Sequence, residues 1–148
     1  MPKPFSLQPL LDLMQTRTDE AARRLGQLIA AEQSQKSRLK LLEEYREEYN
    51  QRFRESSLAG MTPLAWRNFL DFLGRIDEAI IQQRLIVANS ERDTTQGQDQ
   101  WREQNKRLKA IDTLSDRHTA SERYLEGKQE QKLQDEFSAR KKGRETKE

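Results

Sequence analysis

The chain contains no cysteine, which excludes disulfides and thiolate metal sites and fits a reducing compartment. Its single histidine, His118, has no second imidazole or thiol near it to complete a metal-ligand set. The six glycines, at 26, 60, 74, 97, 127 and 143, never cluster, so no phosphate-cradling loop is available. No apolar run approaches the ~20 residues of a membrane span. The opening segment, MPKPFSLQPLLDLMQ, has Asp12 within its apolar stretch and no small-residue cleavage pattern, so no signal peptide is expected. Net charge is only +2, too balanced to point to nucleic acid. Apolar residues make up 33% of the chain against 35% charged, too few for a thick core but enough for a two-helix seam. These absences leave no catalytic constellation, no cofactor site and no metal site, and they predict a soluble cytoplasmic protein.

Proline is nearly missing too, and its placement says most. The four prolines stand at 2, 4, 9 and 63, leaving stretches 10–62 and 64–148 free to run as unbroken helices. Each carries a lane at alternating three- and four-residue spacing. The first reads Leu7, Leu11, Met14, Thr18, Ala21, Leu25, Leu28, Glu32, Gln35, Leu39, Leu42, Arg46, Tyr49, Phe53. The second reads Trp66, Phe69, Leu73, Ile76, Ile80, Gln83, Val87, Ser90, Thr94, Gly97, Trp101, Gln104, Leu108, Ile111. A 3.5-residue repeat sustained this far is the seam of a coiled coil. The fold class is therefore all-α: two long helices forming an antiparallel coiled-coil hairpin with a C-terminal overhang. The expected bounds are helix 1 at 7–55, a tip at 56–62, helix 2 at 63–138 and a basic tail at 139–148.

Ser56, Ser57 and Gly60 are read as ending the first helix, and Thr62-Pro63 as an N-cap followed by proline at the first helical position. A turn centred near 59 then sets the register: Phe53 faces Trp66, Tyr49 faces Phe69, Leu42 faces Ile76 and Leu39 faces Ile80. Gln35 falls opposite Gln83 as a polar layer, Ala21 opposite Gly97, Leu11 opposite Leu108 and Leu7 opposite Ile111. On this arithmetic residues beyond 115 have no partner within the chain, and His118 is a solvated side chain. The overhang is read either as a frayed tail or as a segment that folds against a partner through Tyr124, Leu125, Leu133 and Phe137. Residues 89–100, NSERDTTQGQDQ, hold no strongly apolar side chain and are expected to be a loosely held, bendable zone.

Between 64 and 88 there are more apolar residues than a seam needs: Leu64, Leu70, Phe72, Ala79, Ile81, Leu85 and Ile86. Phe72, Ile76, Ala79 and Gln83 make a stripe along one helix edge, with Arg38, Leu42, Tyr45 and Tyr49 alongside in the same register. Two readings stand: a broader seam near the tip, or a protein interface. Glu43, Glu44, Glu47 and Glu48 interleave with Arg46 and read as a solvated ion-paired face. The basic cluster Arg140, Lys141, Lys142 and Arg144 reads as a solubilising tail.

Ala21-Ala22-Arg23-x-Leu25-Gly26, then Leu39-x-x-Leu42-x-x-Tyr45-x-x-x-Tyr49, resembles the flagellar export protein FliJ family. So do Trp66, Phe72, Ala79-Ile80 and Arg84, then Trp101-Arg102-Glu103, Arg107-Leu108, Leu114-x-Asp116-Arg117 and Asp135-Glu136-Phe137-x-Ala139-Arg140. The likeness runs in order from about 10 to 140. Gln83 stands where the family pattern has histidine, and Arg38 where it has glutamine. The resemblance implies a non-enzymatic stalk of the flagellar type III export apparatus, similar to a rotary-ATPase central stalk and peripheral to the membrane. Implied partners are the export ATPase ring, the cytoplasmic part of the membrane export gate, and export chaperones. It implies that Arg38, Leu42, Tyr45, Tyr49, Phe72, Ile76, Ala79 and Gln83 engage the gate. It also implies that Arg117, Tyr124, Leu125, Leu133 and Phe137 meet the ATPase or a chaperone. A virulence-type secretion stalk would share this pattern, and a general coiled-coil scaffold or chaperone would share the fold without needing an ATPase.

Overall fold

A computed structural model describes residues 3–145. They form two helices, α1 from Gln8–Ala59 (52 residues) and α2 from Pro63–Glu145 (83 residues), with no strand among the described residues. The fold is an all-α antiparallel hairpin in which α2 outlasts its partner. Both boundaries lie beyond the expected ones. Ser56 and Ser57 do not stop α1, which runs on to Ala59, and α2 carries the basic cluster within the helix instead of in a separate tail.

The tip is short because its chemistry is local. Gly60 takes φ +96°, the left-handed conformation that ends a helix and that a side chain strains against. Its N–H donates to the Ser57 carbonyl at 3.3 Å. Thr62 then caps α2, its Oγ1 accepting from the Ala65 N–H at 3.1 Å, and Pro63 opens the helix where no amide donor is needed. Gly60→Ala should therefore cost about 1–2 kcal/mol, read as a lowered melting temperature by circular dichroism.

Residues Glu20–Arg102 make one compact unit around the turn. The seam follows the lane expected from spacing. Ala21, Ile76, Ile80, Gln83, Val87, Thr94 and Gly97 are buried, and Leu25, Leu28, Gln35, Leu39, Leu42, Tyr49, Phe53, Phe69 and Leu73 are half-buried. Trp66, at the end of the lane, is largely exposed although its ring stacks 4.8 Å from Phe53. Gln35 and Gln83 form the polar layer: the Gln83 side-chain amide donates to both the Gln35 carbonyl (3.0 Å) and its Oε1 (2.9 Å).

One expectation needs correction here. Within residues 89–100, Thr94 is 7% exposed and Gly97 is buried, so small side chains close the seam at these two positions. Thr94 Oγ1 also donates to the Leu28 carbonyl at 3.4 Å. Gly97 faces Leu25 and Leu28, whose methyls fill the space a side chain would take; a Cβ there would lie 2.7 Å from Leu28 Cδ1. Ala21 is therefore not the residue seated against it.

The second unit joins the chain up to Asp19 with the chain from Glu103 onward. Met14 and Thr18 are buried, Thr18 Oγ1 donating back to the Met14 carbonyl at 2.7 Å. Leu108, Ile111, Ser115, His118 and Glu122 continue the half-buried lane of α2, and every described residue after Glu122 is exposed. The overhang thus begins about one heptad later than 115. His118 is half-buried and has partners, where a freely solvated side chain was expected: its ring lies 5.5 Å from the Phe5 ring, and its Nε2 sits 2.8 Å from the Lys3 carbonyl. The physical reason is that residues before Gln8 are not helical. An extended residue advances ~3.3 Å and a helical one 1.5 Å, so a few of them reach further along α2 than helical counting allows.

Candidate functional site

Six rings zip the tip half of the hairpin together. Trp66 meets Phe53 at 4.8 Å, Phe53 meets Phe69 at 5.4 Å, and Phe69 meets Tyr49 at 5.2 Å. Tyr49 then meets Phe72 at 4.6 Å, and Phe72 meets Tyr45 edge-on at 6.4 Å. Spacing foretold two of these contacts. The stripe reading placed Tyr45 and Tyr49 alongside Phe72, and the structure adds that the Phe72 ring reaches both, which depends on how the helices cross and not on the lane. Burial, with a smaller contribution from Tyr45, pushes the Tyr49 phenol above its ordinary range.

Of the eight residues on the expected stripe, the structure brings the α1 and α2 members alongside one another but does not expose them equally. Ile76 (5% exposed) and Gln83 (8%) belong to the buried seam, and Gln83 spends its amide on Gln35. Leu42, Tyr49, Phe72 and Ala79 are half-buried, whereas Tyr45 and Arg38 are exposed. What faces solvent is thus a narrow ridge of Tyr45 with the edges of Leu42, Phe72 and Ala79, next to Arg38. Of the surplus apolar residues on α2, Leu64, Leu70, Ile81, Leu85 and Ile86 are exposed.

Of the two readings left open for the surplus apolar residues, the two ring contacts tie half-buried Phe72 to the broader seam near the tip. Phe72→Ala should cost roughly 1–3 kcal/mol of stability, less than a fully buried ring and more than a surface change. Tyr45→Ala touches only one ring edge and should cost within ~1 kcal/mol. Thermal melts of the two variants side by side check this order. Tyr45 is accordingly the cleaner probe of partner binding.

Ion pairs on the hairpin surface are orderly but weak. Arg46 bonds Asp77 across the seam, and this hydrogen bond, together with the Asp77 charge, raises the Arg46 guanidinium above its usual value. Arg84 lies 3.5 Å from Glu43, and Lys36 bridges Glu32 and Glu91 at 3.7 and 3.9 Å. Solvated pairs of this kind contribute ~0–1 kcal/mol each and mainly favour one helix orientation. Of the expected glutamate face, Glu43 pairs across to Arg84 on α2, and Arg46 pairs with Asp77 on α2 instead of with a glutamate beside it on α1.

The overhang presents the second set. Tyr124 (67% exposed), Leu125, Leu133 and Phe137 (71%) are all exposed, as is Arg117. Leu125, Leu133 and Phe137 recur at multiples of four and share one stripe, while Tyr124 falls off it. Lys128 Nζ lies 5.7 Å from the Tyr124 ring centroid. Among the described residues no three His, Cys, Asp or Glu side chains gather as a metal site, and no helix is long and apolar enough to cross a membrane. What both stretches expose is apolar side chains on helices, flanked by charged ones.

Comparison with known proteins agrees with the resemblance seen in the sequence motifs. A family described as "Flagellar FliJ protein" matches residues 2–147. A flagellar FliJ protein of Salmonella typhi is 33% identical over 135 residues, covering 91% of this chain and 92% of that protein. One from Escherichia coli (strain K12) is 31% identical over the same coverage. With the family matched over residues 2–147 and relatives 33% and 31% identical over 91% of the chain, the chain belongs to the flagellar FliJ protein family.

Proposed function

We propose that this chain is a non-enzymatic stalk and adaptor of the flagellar type III export apparatus, acting in the cytoplasm at the membrane-embedded export gate. It promotes assembly of the export ATPase ring, couples that ring to the gate, and handles unladen export chaperones. Family membership supports a role in flagellar export. The observation that carries the finer reading is the division of apolar surface. One exposed ridge lies beside the aromatic zip near the tip, and another lies on α2 after Glu122, where every described residue is exposed.

In this reading the ridge of Arg38, Leu42, Tyr45, Tyr49, Phe72 and Ala79 engages the gate, supported from beneath by Ile76 and Gln83. The overhang, through Leu125, Leu133 and Phe137, with Arg117 and Tyr124 nearby, meets the ATPase ring or a chaperone. A stalk suits a chain of this kind because a two-helix seam presents binding surfaces without needing a thick core.

The deciding measurement is ATP hydrolysis by the purified export ATPase with and without the chain. Stimulation is expected, and it should be retained by Tyr45→Ala, which should instead weaken capture of the gate's cytoplasmic domain. An aromatic anchor at an interface is worth ~2 kcal/mol or more, about a thirtyfold loss in affinity. An unchanged hydrolysis rate would favour a general coiled-coil scaffold, and undiminished gate capture by Tyr45→Ala would remove the ridge from the interface.

A further inference from the structure

The first residues of the described chain do not trail away. Lys3, Pro4 and Phe5 lie outside the helix, and α1 starts only after a turn in which the Gln8 N–H donates to the Phe5 carbonyl at 3.1 Å. Pro4 has no N–H and disfavours a helical conformation at Lys3, so α1 cannot extend backwards over this segment. The backbone of Lys3 is left free to bond sideways, and it does so twice on one turn of α2. Its N–H donates to Glu122 Oε2 at 3.4 Å, and its carbonyl accepts from His118 Nε2 at 2.8 Å. A carbonyl can only accept, so Nε2 must carry a hydrogen. The Phe5 ring covers the His118 ring at 5.5 Å.

The lane of α2 beneath this segment is polar. After Ile111 it reads Ser115, His118 and Glu122, and the next apolar member is Leu125. The surrounding hollow is lined by Lys3, Gln8, Thr119, Arg123 and Glu126 as well, and Phe5 is its one apolar ring. That stretch of α2 therefore owes its cover to one phenylalanine and two backbone hydrogen bonds, all at the surface. Contacts of this kind open locally far more easily than a seam.

We propose that residues 3–7 form a releasable strap that sets where the lone part of α2 begins. Docked, the strap keeps α2 paired as far as Glu122. Released, it adds Ser115, His118 and Glu122 to the exposed stripe of Leu125, Leu133 and Phe137, lengthening the helix open to another chain by about one heptad. A helix pairing along that stripe and advancing towards Ile111 would meet Phe5 first, and an apolar side chain at that level could take its place on His118. The strap is thus a movable stop on the same lane. This inference stands on the fold alone and not on the export reading, so its test needs no partner.

The test is amide hydrogen exchange on the full chain, comparing wild type with Phe5→Ala and with His118→Ala. Each variant should speed exchange across 112–122 by roughly tenfold or more, while 20–102 stays as in wild type, because local opening is separable from the seam. Unchanged exchange at 112–122 in both variants would overturn the proposal, since the strap would then hold nothing. Faster exchange spreading equally through 20–102 would also overturn it, because residues 3–7 would then be an inseparable part of one cooperative fold.

Discussion

Ile76→Asp should unfold the tip half of the hairpin. Ile76 is 5% exposed, at the centre of the lane and one turn from Phe72 and Ile80. A carboxylate there would lie beside Asp77, whose own charge is already committed to Arg46. Burying an unpaired charge in an apolar seam belongs to the few mechanisms that exceed ~4 kcal/mol. Ile76→Val, which removes one methyl, should cost only about 0.5–1.5 kcal/mol. The large change should abolish slow hydrogen exchange across 64–88 and depress helical circular dichroism, and the small one should do neither. If Ile76→Asp kept the wild-type melting curve, Ile76 would have to be reachable by water, and the antiparallel seam as described would be wrong at one of its well-buried layers.

The second large effect concerns function. Ending the chain after Glu126 removes Leu133 and Phe137 together with the basic cluster but spares His118, Glu122 and the strap. Since every removed residue up to Glu145 is exposed, the melting temperature should hardly move. Stimulation of the export ATPase should nevertheless fall to the rate of the ATPase alone. A lone helix lacks tertiary packing and is marginal in water, so binding should also raise helical circular dichroism in the intact chain. Full stimulation by the shortened chain would place the ATPase contact elsewhere. Cutting at 116 instead would be a poorer experiment, because it would also strip the strap of its seat at His118 and Glu122.

How far the sequence could be read follows from what periodicity measures. The seam was legible because a 3.5-residue lane is a property of each helix alone, and Gln35 against Gln83 and Tyr49 against Phe69 follow once the turn is placed. Thr62 and Gly60 were legible because caps are local. Periodicity assumes helical rise throughout, so it misjudged the non-helical residues 3–7 and with them the environment of His118. It weighs apolar size, so it could not show that small side chains close the seam at Thr94 and Gly97. It ignores crossing geometry, so it left Phe72 open between a broader seam and an interface, although the ring reaches Tyr49. The candidate ridge was the least legible part, for exposure depends on how far each half-buried side chain leans over the seam edge.

The amide layer has a mechanical meaning if this molecule transmits force. Two helices joined along a heptad seam resist being peeled apart poorly at their ends but can also fail by sliding, because a slip of seven residues brings one apolar layer onto the next with little loss. Such a slip would carry Gln83 away from the Gln35 carbonyl and side chain that take its two hydrogens, leaving a buried amide facing leucine or isoleucine. An orphaned buried polar group costs about 1–3 kcal/mol. The pair therefore behaves as a detent against shear, holding one helix at a fixed axial position on the other while load passes along them.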